Sequence, residues 1–152
     1  MIRINRETDY SVLILSLLAE DSTRRYSARV IAAKRGLPQP VVSKILKQLV
    51  QEGLLISFRG ARGGYGLARS PDSISIADIV AAMEGPISLT QCTDDGPNSC
   101  EYQEGCVASS NWKRINQQLE DTLRGFSLQD MITPLSGEPV REAFVPLTAL
   151  SR

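Results

Sequence analysis

Apolar residues recur every three or four positions through the first half of the chain, which predicts helices separated by short breaks. Residues 7–20 are broadly apolar and predict a largely buried first helix, with Thr8 or Asp9 as its N-cap. A second, short helix is predicted to begin after Ser27, its candidate N-cap, and to end at Gly36. A third helix begins near Pro40, and its apolar side carries Val42, Ile45, Leu46, Leu49 and Val50.

The second and third helices form a helix-turn-helix pattern, because they are short, a glycine-containing turn joins them, and the later helix has a polar outer face. Residues 54–69 follow, with alternating apolar and small residues around the turn GARGG. This pattern predicts a β-hairpin whose tip carries Arg59 and Arg62. A basic hairpin directly after a helix-turn-helix is a wing. The predicted fold class is therefore mainly α with a small β-hairpin wing, a winged helix-turn-helix.

The second half predicts fewer elements. A short helix is predicted within residues 73–86, with capping-box spacing between Ser75 and Asp78, and Gly85-Pro86 ends it. Residues 109–126 predict a long amphipathic helix, whose apolar stripe is Trp112, Ile115, Leu119, Leu123 and Phe126. Such a helix outside a complete core most simply packs against a second copy of itself, and docking on its own domain is the alternative. Ser127 caps a last short helix.

These elements predict four regions. Residues 1–86 are the winged helix-turn-helix domain and residues 87–106 are a cysteine-containing, cluster-binding loop. Residues 107–133 hold the dimerisation helix and the short C-terminal helix. Residues 134–152, with little periodicity, are predicted to be a flexible tail.

Charge separates the two halves, although the 152 residues carry no net charge. Residues 1–71 have twelve Lys and Arg against five Asp and Glu, and residues 72–152 have the reverse. A basic half indicates a polyanion as partner, and uneven solvated faces are the alternative. No apolar run approaches a membrane span and the N-terminus lacks a signal-peptide pattern, so we expect a cytoplasmic protein without membrane contact.

Every cysteine lies within fifteen positions, at Cys92, Cys100 and Cys106, and the chain has no histidine. Reduced thiols in the cytoplasm favour metal or redox chemistry over structural disulfides. The C-x7-C-x5-C spacing lacks the close pair of a zinc knuckle and favours an iron–sulfur cluster. Unliganded thiols and a disulfide redox switch are the alternatives.

Two classes of function fit these features: a metal- or redox-responsive DNA-binding regulator, and an iron–sulfur carrier or scaffold without DNA binding. The wing favours the regulator, since a carrier has no use for it. An enzyme is not expected, because the chain has no histidine base, no GxSxG elbow and no P-loop.

The segments TDYSVLILSLLA, VSKILKQLVQEGLL, SFRGARGGYGLAR and IVAAMEGP, ahead of a three-cysteine loop, resemble the IscR/NsrR-like regulators of the Rrf-two (Rrf2) family. The resemblance covers about residues 1–133. The stretch from EGP to the cysteines and the segment NWKRIN look closest to the branch that regulates SUF iron–sulfur assembly genes. It implies a homodimer with a cluster near the crossing of two long helices, Cys92, Cys100 and Cys106 being thiolate ligands. The cluster-binding regulator is thus expected to repress SUF assembly genes, with nitric-oxide or redox sensing through the same loop as the alternative.

The resemblance also bears on the fourth ligand. In the [2Fe–2S] regulators a histidine lies three residues after the last cysteine, where this chain has Ser109. In the nitric-oxide-sensing [4Fe–4S] members the fourth ligand is an aspartate early in the first helix of the partner chain. Asp9 occupies the matching position here, and Glu7 is the reserve candidate. A [4Fe–4S] cluster is therefore favoured and a [2Fe–2S] cluster remains possible.

A double-stranded DNA operator is the expected partner, contacted by polar and basic residues of the third helix and the wing. The candidate DNA-binding residues are Gln39, Pro40, Ser43, Lys44, Lys47, Arg59 and Arg62. The candidate dimerisation residues are Trp112, Ile115, Leu119 and Leu123.

Overall fold

The computed structural model describes residues 3–60, 63–94, 100 and 106–133. In chain order its elements are α1 (Arg6–Glu20), α2 (Ala28–Arg35), α3 (Gln39–Gln51), β1 (Leu55–Phe58), β2 (Gly64–Leu67), α4 (Ile76–Glu84), α5 (Ser109–Arg124) and α6 (Leu128–Ile132). Short 3-10 turns cover Pro71–Ser73 and Gln91–Thr93. No helix in this described part is long and apolar enough to cross a membrane. The mainly helical fold with one small hairpin is confirmed, whereas the predicted tail at 134–152 lies outside the described residues.

The ends of several helices are fixed by polar caps. Ser27 and Ser75 accept hydrogen bonds from the first turns of α2 and α4, as predicted, and Ser127 does the same for α6. The prediction for α1 was wrong. Its N-cap is Asn5, whose side-chain oxygen accepts from the backbone N–H of Thr8 at 2.8 Å. Because α1 begins earlier than the apolar pattern indicates, Thr8 and Asp9 lie inside its first turn.

The core lies where α1, α2, α3 and α4 meet, with α6 packed against α1. Its fully buried side chains come from all of these helices and from the segment before α4: Ile14, Leu15, Ile31, Val42, Ile45, Leu46, Leu49, Ile74, Ile79 and Leu128. The short α6 is held by backbone hydrogen bonds from Leu128 N–H to Ile74 O (2.7 Å) and from Ile76 N–H to Phe126 O (2.8 Å). The C-terminal end of α5 is therefore tied to the helix-turn-helix core.

The wing is an antiparallel pair of strands with Leu55 opposite Leu67 and Phe58 opposite Gly64. Tyr26 extends this sheet by pairing with Tyr65, through two backbone hydrogen bonds of 3.3 and 2.9 Å. Gly64 has a φ of +146°, and a Cβ there would lie 2.8 Å from the backbone of Tyr26. Only glycine fits this close approach, which brings the loop end of the hairpin against the segment just before α2.

Candidate functional site

The solvent-facing side of α3 carries the residues predicted to contact DNA. Gln39, Pro40, Ser43, Lys44 and Lys47 are all exposed. The opposite side of the helix is buried in the core. The helix therefore presents a polar, cationic surface of the kind that enters a major groove. Contacts of these residues with DNA stay a prediction.

One of these cations already has a partner within the protein. The Lys44 ammonium lies 2.7 and 2.8 Å from the two carboxylate oxygens of Glu7, which belongs to the first turn of α1. Glu7 was the reserve candidate for the fourth cluster ligand. In the structure its carboxylate instead binds the helix predicted to read DNA.

The last turn of α4 holds both partners of that ion pair in place. The Gln48 side-chain amide of α3 donates to the carbonyls of Ala82 (2.8 Å) and Met83 (3.2 Å). The Glu84 carboxylate accepts from the Asn5 N–H (3.0 Å) and from the Thr8 hydroxyl (2.6 Å) at the start of α1. These long-range contacts were not predictable from the sequence, because polar residues near helix ends usually face solvent. The helix that leads into the cysteine loop thus positions both α1 and α3.

The wing and the turn before α2 share a group of cations. Arg59 is exposed near the hairpin tip, and Arg62 lies outside the described residues. The Arg25 guanidinium lies 3.5 Å from the centroid of the Phe58 ring, a cation–π contact at the loop end of β1. Two more cations lie over the ring of Tyr26, at 5.9 and 5.8 Å: Arg24 and Lys34. These residues widen the basic surface beyond the predicted set.

The cysteine loop is described only near its cysteines. Cys92 lies in the 3-10 turn, with its Sγ 3.1 Å from the hydroxyl of Thr90. Cys100 is half-buried. Cys106 is exposed just before α5, where its carbonyl accepts from the N–H of Ser109. All three are free thiols, while residues 95–99 and 101–105 lie outside the described part.

Asn116 fastens the start of this loop to α5, a role that the sequence analysis missed. Its amide nitrogen donates to the Ile87 carbonyl and its oxygen accepts from the Leu89 N–H, both at 2.9 Å. The side chain is 8% exposed. A polar residue flanked by the apolar stripe was the available signal, because a buried amide must find hydrogen-bond partners.

Asp9 is exposed in the first turn of α1. Its carboxylate has no hydrogen-bond or ion-pair partner within the described residues, and Asn5 rather than Asp9 caps the helix. The described part of one chain also gathers no group of three or more His, Cys, Asp and Glu residues suited to a metal ion. Three free thiols and an unengaged carboxylate nevertheless have the donor chemistry of an iron–sulfur site. The donor atoms of the predicted ligand set therefore suit an iron–sulfur cluster, and its geometry stays a prediction. That set is Cys92, Cys100, Cys106 and Asp9.

The apolar stripe of α5 divides into two parts. Leu123 packs against the core of its own chain, and Leu119 is half-buried. Trp112 and Ile115 are 41% and 46% exposed. Docking on its own domain thus accounts for Leu123 and partly for Leu119, and it leaves Trp112, Ile115 and also Phe126 (54% exposed) uncovered in the single chain.

Comparison with known proteins places these features in a wider group. Residues 4–134 match the family model of Rrf2, which is described as an iron-dependent transcriptional regulator. The chain is 31% identical over 131 residues to a putative HTH-type transcriptional regulator, slr0846, of Synechocystis, covering 85% of this chain and 86% of that protein.

Two solved structures are similar over most of the chain. One is CymR, titled the global cysteine regulator of B. subtilis, with a TM-score of 0.69 and 29% identity over 87% of this chain and 97% of that one. The other is T. potens IscR, with a TM-score of 0.65 and 28% identity over 86% of both chains.

Proposed function

The chain belongs to the Rrf2 family of DNA-binding transcriptional regulators, and we propose that it is an iron–sulfur-responsive repressor within that family. It is not an enzyme, since its relatives are transcriptional regulators. The observation that carries the proposal is the set of three free cysteines close behind a winged helix-turn-helix. The loop that holds them adjoins α4, whose last turn contacts both α1 and α3.

The proposed ligands are Cys92, Cys100 and Cys106 of one chain and Asp9 of the partner subunit. Asp9 supports this assignment because its carboxylate is exposed and unengaged within the described residues. A [4Fe–4S] cluster is favoured over [2Fe–2S], since the chain offers no histidine. A bound cluster would supply a labile link at its carboxylate corner, because a carboxylate is a harder and weaker ligand for iron than a thiolate.

The proposed active form is a homodimer on double-stranded DNA. The exposed Trp112 and Ile115 of α5 support it, because large apolar side chains on one helical face are stabilised by a second copy. Leu119 continues this face toward Leu123. A dimer would set two copies of α3 at a fixed spacing for two half-sites of an operator.

The proposed targets are SUF iron–sulfur assembly genes, in keeping with the branch that the sequence resembles most. The likeness to CymR favours a second candidate, a regulator that responds to cysteine supply without a cluster. A third candidate is a repressor that senses nitric oxide or redox state through the same cysteine loop. The iron–sulfur carrier without DNA binding finds no support in these relatives.

The experiment is to purify the full chain without oxygen and to assay iron and acid-labile sulfide in the wild type, Asp9→Ala and Asp72→Ala. Asp72 is the matched control, because it is also an exposed aspartate. The proposal expects brown wild-type protein with near-equal iron and sulfide, about four irons per chain for a [4Fe–4S] cluster and about two for [2Fe–2S]. Asp9→Ala should lose its cluster faster in air than Asp72→Ala.

Other outcomes separate the candidates. Colourless protein containing zinc would make the loop a structural metal site and contradict the proposal. Colourless, metal-free protein that still binds DNA, even after attempted reconstitution, would favour the cysteine-responsive or thiol-switch regulator. An equally stable cluster in Asp9→Ala would remove Asp9 from the ligand set and leave the cysteines in place.

A further inference from the structure

The ion pair between Lys44 and Glu7 lies on the surface predicted to meet DNA. Both carboxylate oxygens of Glu7 contact the same ammonium, at 2.7 and 2.8 Å. Lys44 belongs to the exposed side of α3. In the free protein its ammonium is therefore paired with a carboxylate of the same chain, on the surface that would meet DNA. DNA phosphates and the Glu7 carboxylate are therefore alternative partners for Lys44.

The position of this pair is set by the surrounding fold. Glu7 follows the Asn5 cap by two residues, and that turn is fastened to Glu84 through Asn5 and Thr8. On the other side, Gln48 fastens α3 to the same last turn of α4. Both backbones are thereby held at the separation that lets the two side chains meet.

The ion pair between Lys44 and Glu7 is weak enough for DNA to compete with it. The Lys44 and Glu7 side chains are 65% and 40% exposed, and exposed ion pairs are weak because water and salt screen them. DNA phosphates therefore take Lys44 from Glu7 in part of the complexes and leave the ion pair intact in the others. When they do, the Glu7 carboxylate is left without its cation close to a polyanion, which is unfavourable in its own right.

We propose that Glu7 competes with DNA for Lys44 and so weakens the sequence-independent binding of α3 to phosphates. Glu7 is then a specificity-determining residue, since it lowers the electrostatic term common to all duplexes and leaves base contacts a larger share of the affinity. This inference rests on the proposed DNA-binding surface and assigns a role in it to a residue of α1.

The test compares wild type with Glu7→Gln in binding to a fluorescent duplex of about 30 base pairs and arbitrary sequence across a salt series. Both proteins are used at full length and in the same cluster state. With Lys44 released, its phosphate is neutralised in every complex rather than in part of them, so the plot of log affinity against log salt should steepen by up to about 0.9. Affinity at low salt should rise about threefold to tenfold.

Two controls separate the proposed competition from a general charge effect. Glu52→Gln removes the same charge from the C-terminal end of α3, and Glu52 has no ion pair among the described residues, so its slope should match wild type. In a Lys44→Gln background, Glu7→Gln should no longer steepen the slope. An unchanged slope in Glu7→Gln, or an equal gain with and without Lys44, would overturn the inference alone. Absence of duplex binding by the wild type would overturn the proposed function as well.

Discussion

Asn116 is the residue whose replacement most directly tests how the cysteine loop is attached to α5. Its amide pairs with the backbone of Ile87 and Leu89, and the side chain is almost fully buried. Asn116→Ala removes both hydrogen bonds and leaves a carbonyl and an N–H at the start of the loop without these partners. The expected result is a less stable protein with a loosened loop.

The size of the effect follows from two opposing terms. Two hydrogen bonds contribute about 2 kcal/mol together, and orphaned partners can raise the loss further. Alanine is the better helix former by about 0.6 kcal/mol, which offsets part of it. The net loss is then about 1.5 kcal/mol, which for a chain of this length lowers Tm by about 3–6 °C.

The assay is thermal and urea unfolding of metal-free protein, together with the rate at which a thiol reagent modifies Cys92. Gln118→Ala is the matched control, because Gln118 is an exposed amide on the same helix. We expect Asn116→Ala to melt lower and to react faster, whereas Gln118→Ala should change by a few tenths of a kcal/mol at most. Equal stability and equal thiol reactivity in the two variants would refute the reasoning.

Gly64→Ala should distort the wing, because the added Cβ would meet the Tyr26 backbone, and duplex affinity should fall while far-ultraviolet circular dichroism stays helical. Lys47→Ala should weaken binding to all duplexes and flatten the salt dependence by about 0.9, and a loss confined to one base position would contradict a phosphate role. Hydrogen bonds from the Ser127 hydroxyl and N–H lower the pKa of Asp130, so its stabilisation of α6 is fully present above pH 3.8 and is lost as the pH falls through the lowered pKa. The free energy of unfolding of Asp130→Asn, measured as the pH is lowered, should lack this contribution.

The sequence predicted the helices and the wing well, because their signals are local. Apolar periodicity identified the buried side of α3, and serine caps placed the starts of α2, α4 and α6. The start of α1 was misplaced because Asn5 lies before any apolar repeat. A cap one turn earlier was equally allowed by local chemistry.

Contacts between distant residues were not predictable in the same way. Glu84 reaches Thr8 across 76 positions, and Gln48 reaches Ala82 across 34. Each of these polar residues has an ordinary solvated alternative in a single sequence, so nothing in the pattern selects the contact. For the cysteines the sequence indicated more than the described residues show. Their spacing predicts that they bind one cluster together, whereas the described residues of a single chain do not by themselves form a metal site.

We expect the protein to change its affinity for DNA with the state of its cysteine loop. The most direct measurement is the affinity of cluster-loaded and cluster-free protein for one duplex, selected by the wild type from random sequences, at one fixed salt concentration. Coupling between two sites of this kind typically changes affinity by about fivefold to 150-fold, and we expect a difference in that range. Equal affinity in the two states, with the loaded protein shown to contain iron and sulfide, would contradict the account.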